Sequence, residues 1–303
     1  MELLGKTRID FIGKRNISFV ISAIISIVGI IGVIQVGRGA ANMGIDFSGG
    51  TAMQLKFSKP ISIADARVAL HKNGIAKADL QEIKDGNKLL VKMAGAAVGK
   101  PSEMVQTAFK KEFADNAFTV ESSTEIGPSI GDKLRKDTLI ATVLSLLGII
   151  LYIAWRFDFK FGVGAICATL HDCLAMFAVF YLMNKEINLL FITAVLTIAG
   201  YSLTDTVVVF DRIRENLHKN LKGSMHTIFN DSINEVLSRT IVTSLTVFLA
   251  AASLFFFGGE VIHDFSHALL IGVLVGTYSS VFVASPIVVI LENRALAKKA
   301  VTA

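Results

Sequence analysis

Among the residues that could do chemistry, several stand where water is scarce. The stretch INLLFITAVLTIAGYSLTDTVVVFDRIREN, residues 187–216, carries Asp205 between Thr204 and Thr206. It is nonetheless apolar for the length needed to cross a bilayer, about 20 helical residues. A second such stretch, 161–182, holds His171 and Asp172 near its middle, and a third, 240–257, opens directly after Arg239. A charge at the centre of a membrane helix costs about 2.5–3.5 kcal/mol on insertion scales, so it needs a partner, a proton or water. The chemistry open to such groups is reversible protonation. Burial disfavours the charged form of a carboxylate and a nearby cation favours it, so a small helix movement can load or release a proton.

Blander readings stand beside the sharp ones. Asp205 could be an aspartate deep enough only to reach the headgroups, or a proton- or ion-responsive carboxylate in a transporter-like bundle. Arg239 could snorkel to the interface. It could equally pair with Asp205, because its helix begins at about the depth where Asp205 ends its own. His171 and Asp172 cannot snorkel from mid-span and must face protein or water. A purely structural histidine, hydrogen-bonded across helices, is also open.

Composition defines the elements that must position these groups. The 303 residues are 52% hydrophobic and 18% charged, too apolar for an ordinary soluble chain. The formal charge of +5 does not call for nucleic acid, because cytoplasmic loops of membrane proteins collect Lys and Arg. Six spans are expected, at 17–36, 138–155, 161–182, 187–210, 240–257 and 268–291. The basic N-terminal segment, 1–16, leads into a span without the short apolar core and small-residue cleavage site of a signal peptide, so that span is retained. Loops on one side carry Arg156, Lys160, Arg212, Arg214, Lys219, Lys222, Arg239, Arg294, Lys298 and Lys299. The other side has Lys185, Glu186, Glu260 and Asp264. This asymmetry places both termini, including the tail 292–303, in the cytoplasm and residues 37–137 outside. Residues 211–239 form a cytoplasmic amphipathic segment, with Ile228, Phe229, Ile233 and Val236 on one side. It is expected to lie along the inner membrane face, where its basic residues could attract lipid.

The outer domain, 37–137, reads as soluble. A strand at 51–58 precedes a helix at 62–73 that Gly74 ends. Strands at 78–84 and 87–93 form a hairpin through Asp85-Gly86. A helix at 101–113 starting with Pro101 and a strand at 118–122 complete the order strand–helix–strand–strand–helix–strand, that of a ferredoxin-like fold. The fold class is therefore a polytopic α-helical membrane protein with one α+β ferredoxin-like domain between spans one and two. Within the bundle, Gly272, Gly276, Ser280 and Ala284 recur every four residues, and Ala194, Thr197, Gly200 and Thr204 form a similar ridge. Small residues spaced this way let helices approach closely. Gly200, Gly272 and Gly276 are the expected packing positions.

Enzymatic machinery is not expected. Cys167 and Cys173 fall in one apolar helix and cannot face each other, so they imply neither a disulfide nor a metal site. His71 on a lysine-rich helix reads as a surface residue. The glycine-bearing stretch 44–51 lacks the Gly-Lys-Ser/Thr ending that would grip a nucleotide. With no catalytic nucleophile and no cofactor expected, energy must come from an ion gradient or another protein.

The motifs together resemble a known family. They are Gly44-Ile45-Asp46-Phe47-Ser48-Gly49-Gly50-Thr51 after the first span, Ile126-Gly127-Pro128-Ser129-Ile130-Gly131 before the second and His171-Asp172 in the third. The run from Tyr201 to Asn216 lies in the fourth, and Ser238-Arg239-Thr240 with Thr243-Ser244-Leu245-Thr246 opens the fifth. The chain resembles the SecF family of the bacterial SecD–SecF complex, related to RND-type proton-driven transporters. The resemblance covers nearly the whole chain. It implies an inner-membrane protein that pairs with SecD to complete a twelve-span unit, with YajC attached. It also implies work beside the SecYEG translocon, through which SecA and YidC would be neighbours, on translocating preproteins and within membrane lipid. The unit would couple inward proton flow to late steps of export. The family's proton-responsive aspartate corresponds to Asp205 and its essential arginine to Arg239, with Thr204, Thr206, His171 and Asp172 around them. Two alternatives remain, half of another RND-type lipid or solute exporter and a non-transporting scaffold in which Asp205 and Arg239 would be dispensable.

Overall fold

The computed structural model describes residues 7–76, 78–83, 87–94, 100–219 and 223–302. The described chain divides into two compact units, one from 1–42, 142–186 and 190–303, the other from 43–141 and 187–189. Helix α1 (Arg15–Gly37) precedes a short α2 (Ile45–Ser48) and then a mixed unit. In order, that unit comprises β1 (Gly50–Phe57), α3 (Ile63–Lys72), β2 (Asp79–Ile83), β3 (Lys88–Ala94), α4 (Pro101–Glu112) and β4 (Phe118–Ile126).

The mixed unit follows from simple patterning. Along β1, Met53, Leu55 and Phe57 are buried while Lys56 between them is exposed, the period-two alternation of a strand with one covered face. Ser62 caps α3 by accepting the Asp65 N–H at 3.0 Å, and Gly74 at φ +79° turns the chain away. Pro101 opens α4, where a missing N–H does no harm. Both helices supply the core beside the sheet, through Ala66, Ala69, Leu70, Val105, Ala108 and Phe109. Phe57 meets Phe109 edge-on at 5.8 Å and Phe118 at 5.3 Å. The strands lie in the order β2-β3-β1-β4, all antiparallel. The Asp85-Gly86 turn lies outside the described residues.

Glycine is required where two motifs touch. Gly49 has φ +67°, and a Cβ there would lie 3.1 Å from Pro128 Cα. At Gly131 a Cβ would lie 2.9 Å from the Gly49 nitrogen. The same segment reaches the start of a later helix. Gly44 N donates to Ile187 O at 2.9 Å, and Asp46 Oδ2 accepts the Leu189 N–H at 3.0 Å.

The helical unit is built from α1, α5 (Pro128–Arg156), α6 (Phe159–Leu182), α7 (Leu189–Lys219), α8 (Met225–Phe257) and a last rod. That rod is α9 (Glu260–Ser279), a π-helical turn (Ser280–Ala284) and α10 (Ser285–Thr302). Six of these helical segments are long and apolar enough to cross a membrane. The chain is thus a polytopic membrane protein with a β-sheet domain between its first and second spans. Interior positions go to α6, α7 and the α9–α10 rod, whereas α1, α5 and α8 expose most of their apolar surface.

Small residues set the closest approaches. Buried positions of α1 are Ser18, Ser22, Gly29 and Gly32, and a Cβ at Gly29 would collide with the Leu174 backbone of α6. On α9 a Cβ at Gly272 would strike Ile198 and one at Gly276 would stand 3.0 Å from Ser202 Cβ, so both glycines seat α9 on α7. Gly200 differs from expectation. It is exposed, and a Cβ there would meet nothing within 4 Å.

The described residues of 211–239 also differ from the expected surface helix: 211–219 are the end of α7, and from Met225 they are the first half of α8, which Ser224 caps. Ile228, Phe229 and Ile233 are buried, and Phe229 and Ile233 belong to the same core as Phe210 and Ile213, so the apolar side faces protein. Asn216 bonds Ser232 and Glu235, and Arg212 bonds Glu235, which ties the two helices. Asn230 Oδ1 accepts the N–H groups of Phe11 and Ile12, and Asn234 bonds both backbone groups of Ile9, strapping the segment before α1 to α8.

Forcing a large side chain into a filled contact costs about 1–3 kcal/mol. Gly276→Leu is therefore expected to lower the melting temperature in mild detergent, whereas Gly200→Leu is expected to leave it unchanged. Equal effects of the two would remove Gly276 from the α7–α9 contact.

Candidate functional site

Two carboxylates lie in the bundle in different surroundings. Asp172 on α6 is fully buried. Its Oδ2 accepts from Ser202 Oγ of α7 at 2.5 Å and from Ser279 Oγ of α9 at 2.8 Å. Its Oδ1 lies 3.1 Å from His171 Nδ1. Two hydroxyls and an imidazole from three helices thus meet one buried carboxyl group. His171 is itself buried, among the described residues its Nε2 has no hydrogen-bond partner, and its ring stands 6.0 Å from that of Tyr278. Tyr278 in turn donates to Ser18 O of α1 at 3.1 Å and shares a hydrogen bond with Ser22 at 3.2 Å.

Asp205 lies three residues beyond Ser202 on α7, on the same helix face. It too is buried, but among the described residues it receives one side-chain donor, Ser244 Oγ of α8, at 3.2 Å from its Oδ2. Ser244 Oγ is also the meeting point for Thr277 Oγ1 of α9 at 2.7 Å and for Tyr201 OH at 3.4 Å. Asp172 thus has three side-chain partners and Asp205 one among the described residues.

The other expected site residues distribute unevenly. Thr206 is buried but bonds its own helix at Ser202 O, 3.2 Å away. Thr204 is exposed and bonds Gly200 O, so neither threonine side chain reaches the carboxylate between them. Arg239 is exposed, and no ion pair joins it to Asp205 among the described residues. The expected contact is replaced by Ser244, five positions further along α8 and so about 7 Å along the axis. Ser202, Ser244, Thr277 and Ser279 were not anticipated in these roles. Their signal was a hydroxyl side chain within one or two turns of a charge or a packing glycine.

The comparisons with known proteins decide the family. A profile described as "Protein export membrane protein SecD/SecF, C-terminal" matches residues 105–294, and a "SecD/SecF GG Motif" matches 41–61. The chain belongs to the SecF family. It is 52% identical over 301 residues to the protein translocase subunit SecF of Thermodesulfovibrio yellowstonii, covering 99% of this chain and 100% of that protein. Identity to the SecF of Pseudomonas aeruginosa is 35%, over 94% of this chain and 92% of the relative. Among solved structures, SecDF of Thermus thermophilus, described as a translocon-associated membrane protein, superposes with a TM-score of 0.81 at 34% identity. That match covers 95% of this chain and 39% of the longer SecDF chain. The GG motif of the SecF family falls on the segment where Gly49 meets Pro128.

Leaving a buried hydroxyl without an acceptor costs about 1–3 kcal/mol, and a cavity adds to that. Asp172→Ala takes the acceptor from Ser202, while Ser279 keeps Gly276 O, and it is expected to lower the melting temperature clearly. Asp205→Asn disturbs one hydrogen bond, worth about 1 kcal/mol, and is expected to melt close to wild type. The reverse order in a detergent melting series would overturn this division.

Proposed function

We propose that the chain is a SecF-type protein translocase subunit that, with SecD, uses the proton motive force to assist late steps of Sec-dependent preprotein export across the bacterial inner membrane. One observation carries the reading: of two buried carboxylates in the bundle, Asp172 is held by three side chains on three helices while Asp205 is held by a single hydroxyl among the described residues. Asp205 is the proton-responsive group and Arg239 the cation that answers it when the helices shift. Thr204 and Thr206 flank that carboxylate, and His171 with Asp172 forms the fixed side of the relay.

Further parts of the reading rest on the same frame. SecD supplies the other half of the unit and SecYEG the channel, with YajC, SecA and YidC as neighbours. The protein performs no catalysis of its own. The strand order β2-β3-β1-β4 with helices after β1 and β3 supports a ferredoxin-like domain, on the periplasmic side by the charge asymmetry of the loops. Both termini are then cytoplasmic.

The orientation is tested with single cysteines in a protein lacking Cys167 and Cys173. Positions Asn42, Lys88 and Gly259 are expected to react with a membrane-impermeant thiol reagent in spheroplasts, and Lys160 and Lys219 to stay protected. Labelling of Lys219 with protection of Lys88 would invert the topology.

The mechanism is tested by export of a reporter preprotein into inverted membrane vesicles, with and without a proton gradient. Asp205→Asn keeps size and fixes the uncharged form. At matched membrane level and SecD association it is expected to lose the gradient-dependent increment of export. A variant stimulated as strongly as wild type would leave Asp205 a structural residue.

A further inference from the structure

We infer that Ser244 and Thr277 are positioning residues for proton uptake at Asp205, forming a three-helix hydroxyl chain whose direction reverses when the carboxyl is protonated. The inference rests on the reading of Asp205 as the proton-responsive group. A hydroxyl has one proton to donate and two lone pairs to accept with. Ser244 Oγ has three neighbours, Asp205 Oδ2 at 3.2 Å, Thr277 Oγ1 at 2.7 Å and Tyr201 OH at 3.4 Å. With Asp205 ionised, Ser244 must donate to the carboxylate, so Thr277 and Tyr201 donate to Ser244. Every group is then used.

Proton uptake changes what Asp205 offers. Its new O–H donates to Ser244 Oγ, and the Ser244 hydrogen must find another acceptor. Thr277 can become that acceptor because its own hydrogen has a second outlet one turn back, Val273 O at 2.8 Å. The chain then runs Asp205 to Ser244 to Thr277 to Val273 O, again with each hydroxyl donating. Neither charge state leaves one of these hydroxyls without a partner, a defect that costs about 1–3 kcal/mol when buried. No covalent bond other than O–H is involved. One proton is gained by the carboxyl, and the two hydroxyl hydrogens rotate without transfer.

The charged and titratable groups around this chain are few. Arg239 on α8 and Tyr201 on α7 act on Asp205 or lie against it, while α9 contributes the Thr277 hydroxyl. On the far side of α7, Asp172 and His171 of α6 face Ser202 and Ser279. Ser279 repeats the pattern seen at Thr277, with Asp172 Oδ2 at 2.8 Å and Gly276 O at 3.1 Å as alternative acceptors.

The test uses the full chain with its SecD partner, reconstituted in lipid vesicles. It combines infrared pH-difference spectra in the carboxyl region with the pH profile of gradient-driven export. Asp205→Asn identifies the Asp205 band by its loss. Thr277→Val keeps the shape without the hydroxyl, and Thr277→Ser keeps the hydroxyl without the methyl. Thr277→Val is expected to shift the Asp205 band in frequency and displace the export profile by about one pH unit, since one hydrogen bond is worth roughly that much. Thr277→Ser is expected to restore both. Ser244→Ala, on a different helix, is expected to move the band and the profile in the opposite sense, because it removes the donor to the ionised carboxylate whereas Thr277→Val removes the acceptor used after protonation, so poor folding of one variant leaves the other to decide. An Asp205 band and profile indifferent to both substitutions would overturn the hydroxyl chain while leaving Asp205 as the proton site. Absence of any band lost in Asp205→Asn would overturn the proton site and the chain together.

Discussion

A charge with no access to water must be met by the protein, and Asp172 is where this bundle meets that demand. Its donors come from its own helix, from Ser202 on α7 and from Ser279 on α9. Hydroxyl side chains are short, so the donors reach the carboxylate only if the backbones are close. Gly272 and Gly276 permit that closeness between α9 and α7. The charge and the glycines are therefore one constraint seen from two sides. Filling the glycines would push α9 away from α7, and removing Asp172 would take the acceptor from Ser202 in the close contact.

The second carboxylate inherits its setting from the first. Ser202 and Asp205 are three residues apart on α7, so the contact that fixes Ser202 on Asp172 also fixes the rotation of α7 that directs Asp205 toward α8. Ser202 thus acts as a pivot, although its own carboxylate partner is Asp172. The two carboxylates therefore differ in how firmly they are held, with three side-chain partners on Asp172 and one on Asp205 among the described residues.

Residue type exposed the charged groups in the sequence, because His171, Asp172 and Asp205 are conspicuous in apolar helices. The six spans and the succession of strands and helices along the sheet domain were legible from hydropathy and turn residues for similar reasons. What the pattern could not convey was rotation. Gly200 belongs to a ridge of small residues, yet it sits two positions from both Ile198 and Ser202, about 200° around a helix with 3.6 residues per turn. The contact face is that of Ile198 and Ser202, so Gly200 points away. Depth alone likewise matched Arg239 to Asp205, but Ser244 projects toward Asp205 on α8 and takes the contact. The amphipathic stretch within 211–239 was ambiguous in another sense. An apolar side covers protein as well as lipid, and only the buried Phe229 and Ile233 tell which.

The first residue of α7 is held by the family motif. Asp46, in the Gly44–Thr51 run, accepts the N–H of Leu189, the first residue of α7. A carboxylate there is favourable twice over, since it satisfies an orphan donor and lies at the positive end of the helix dipole.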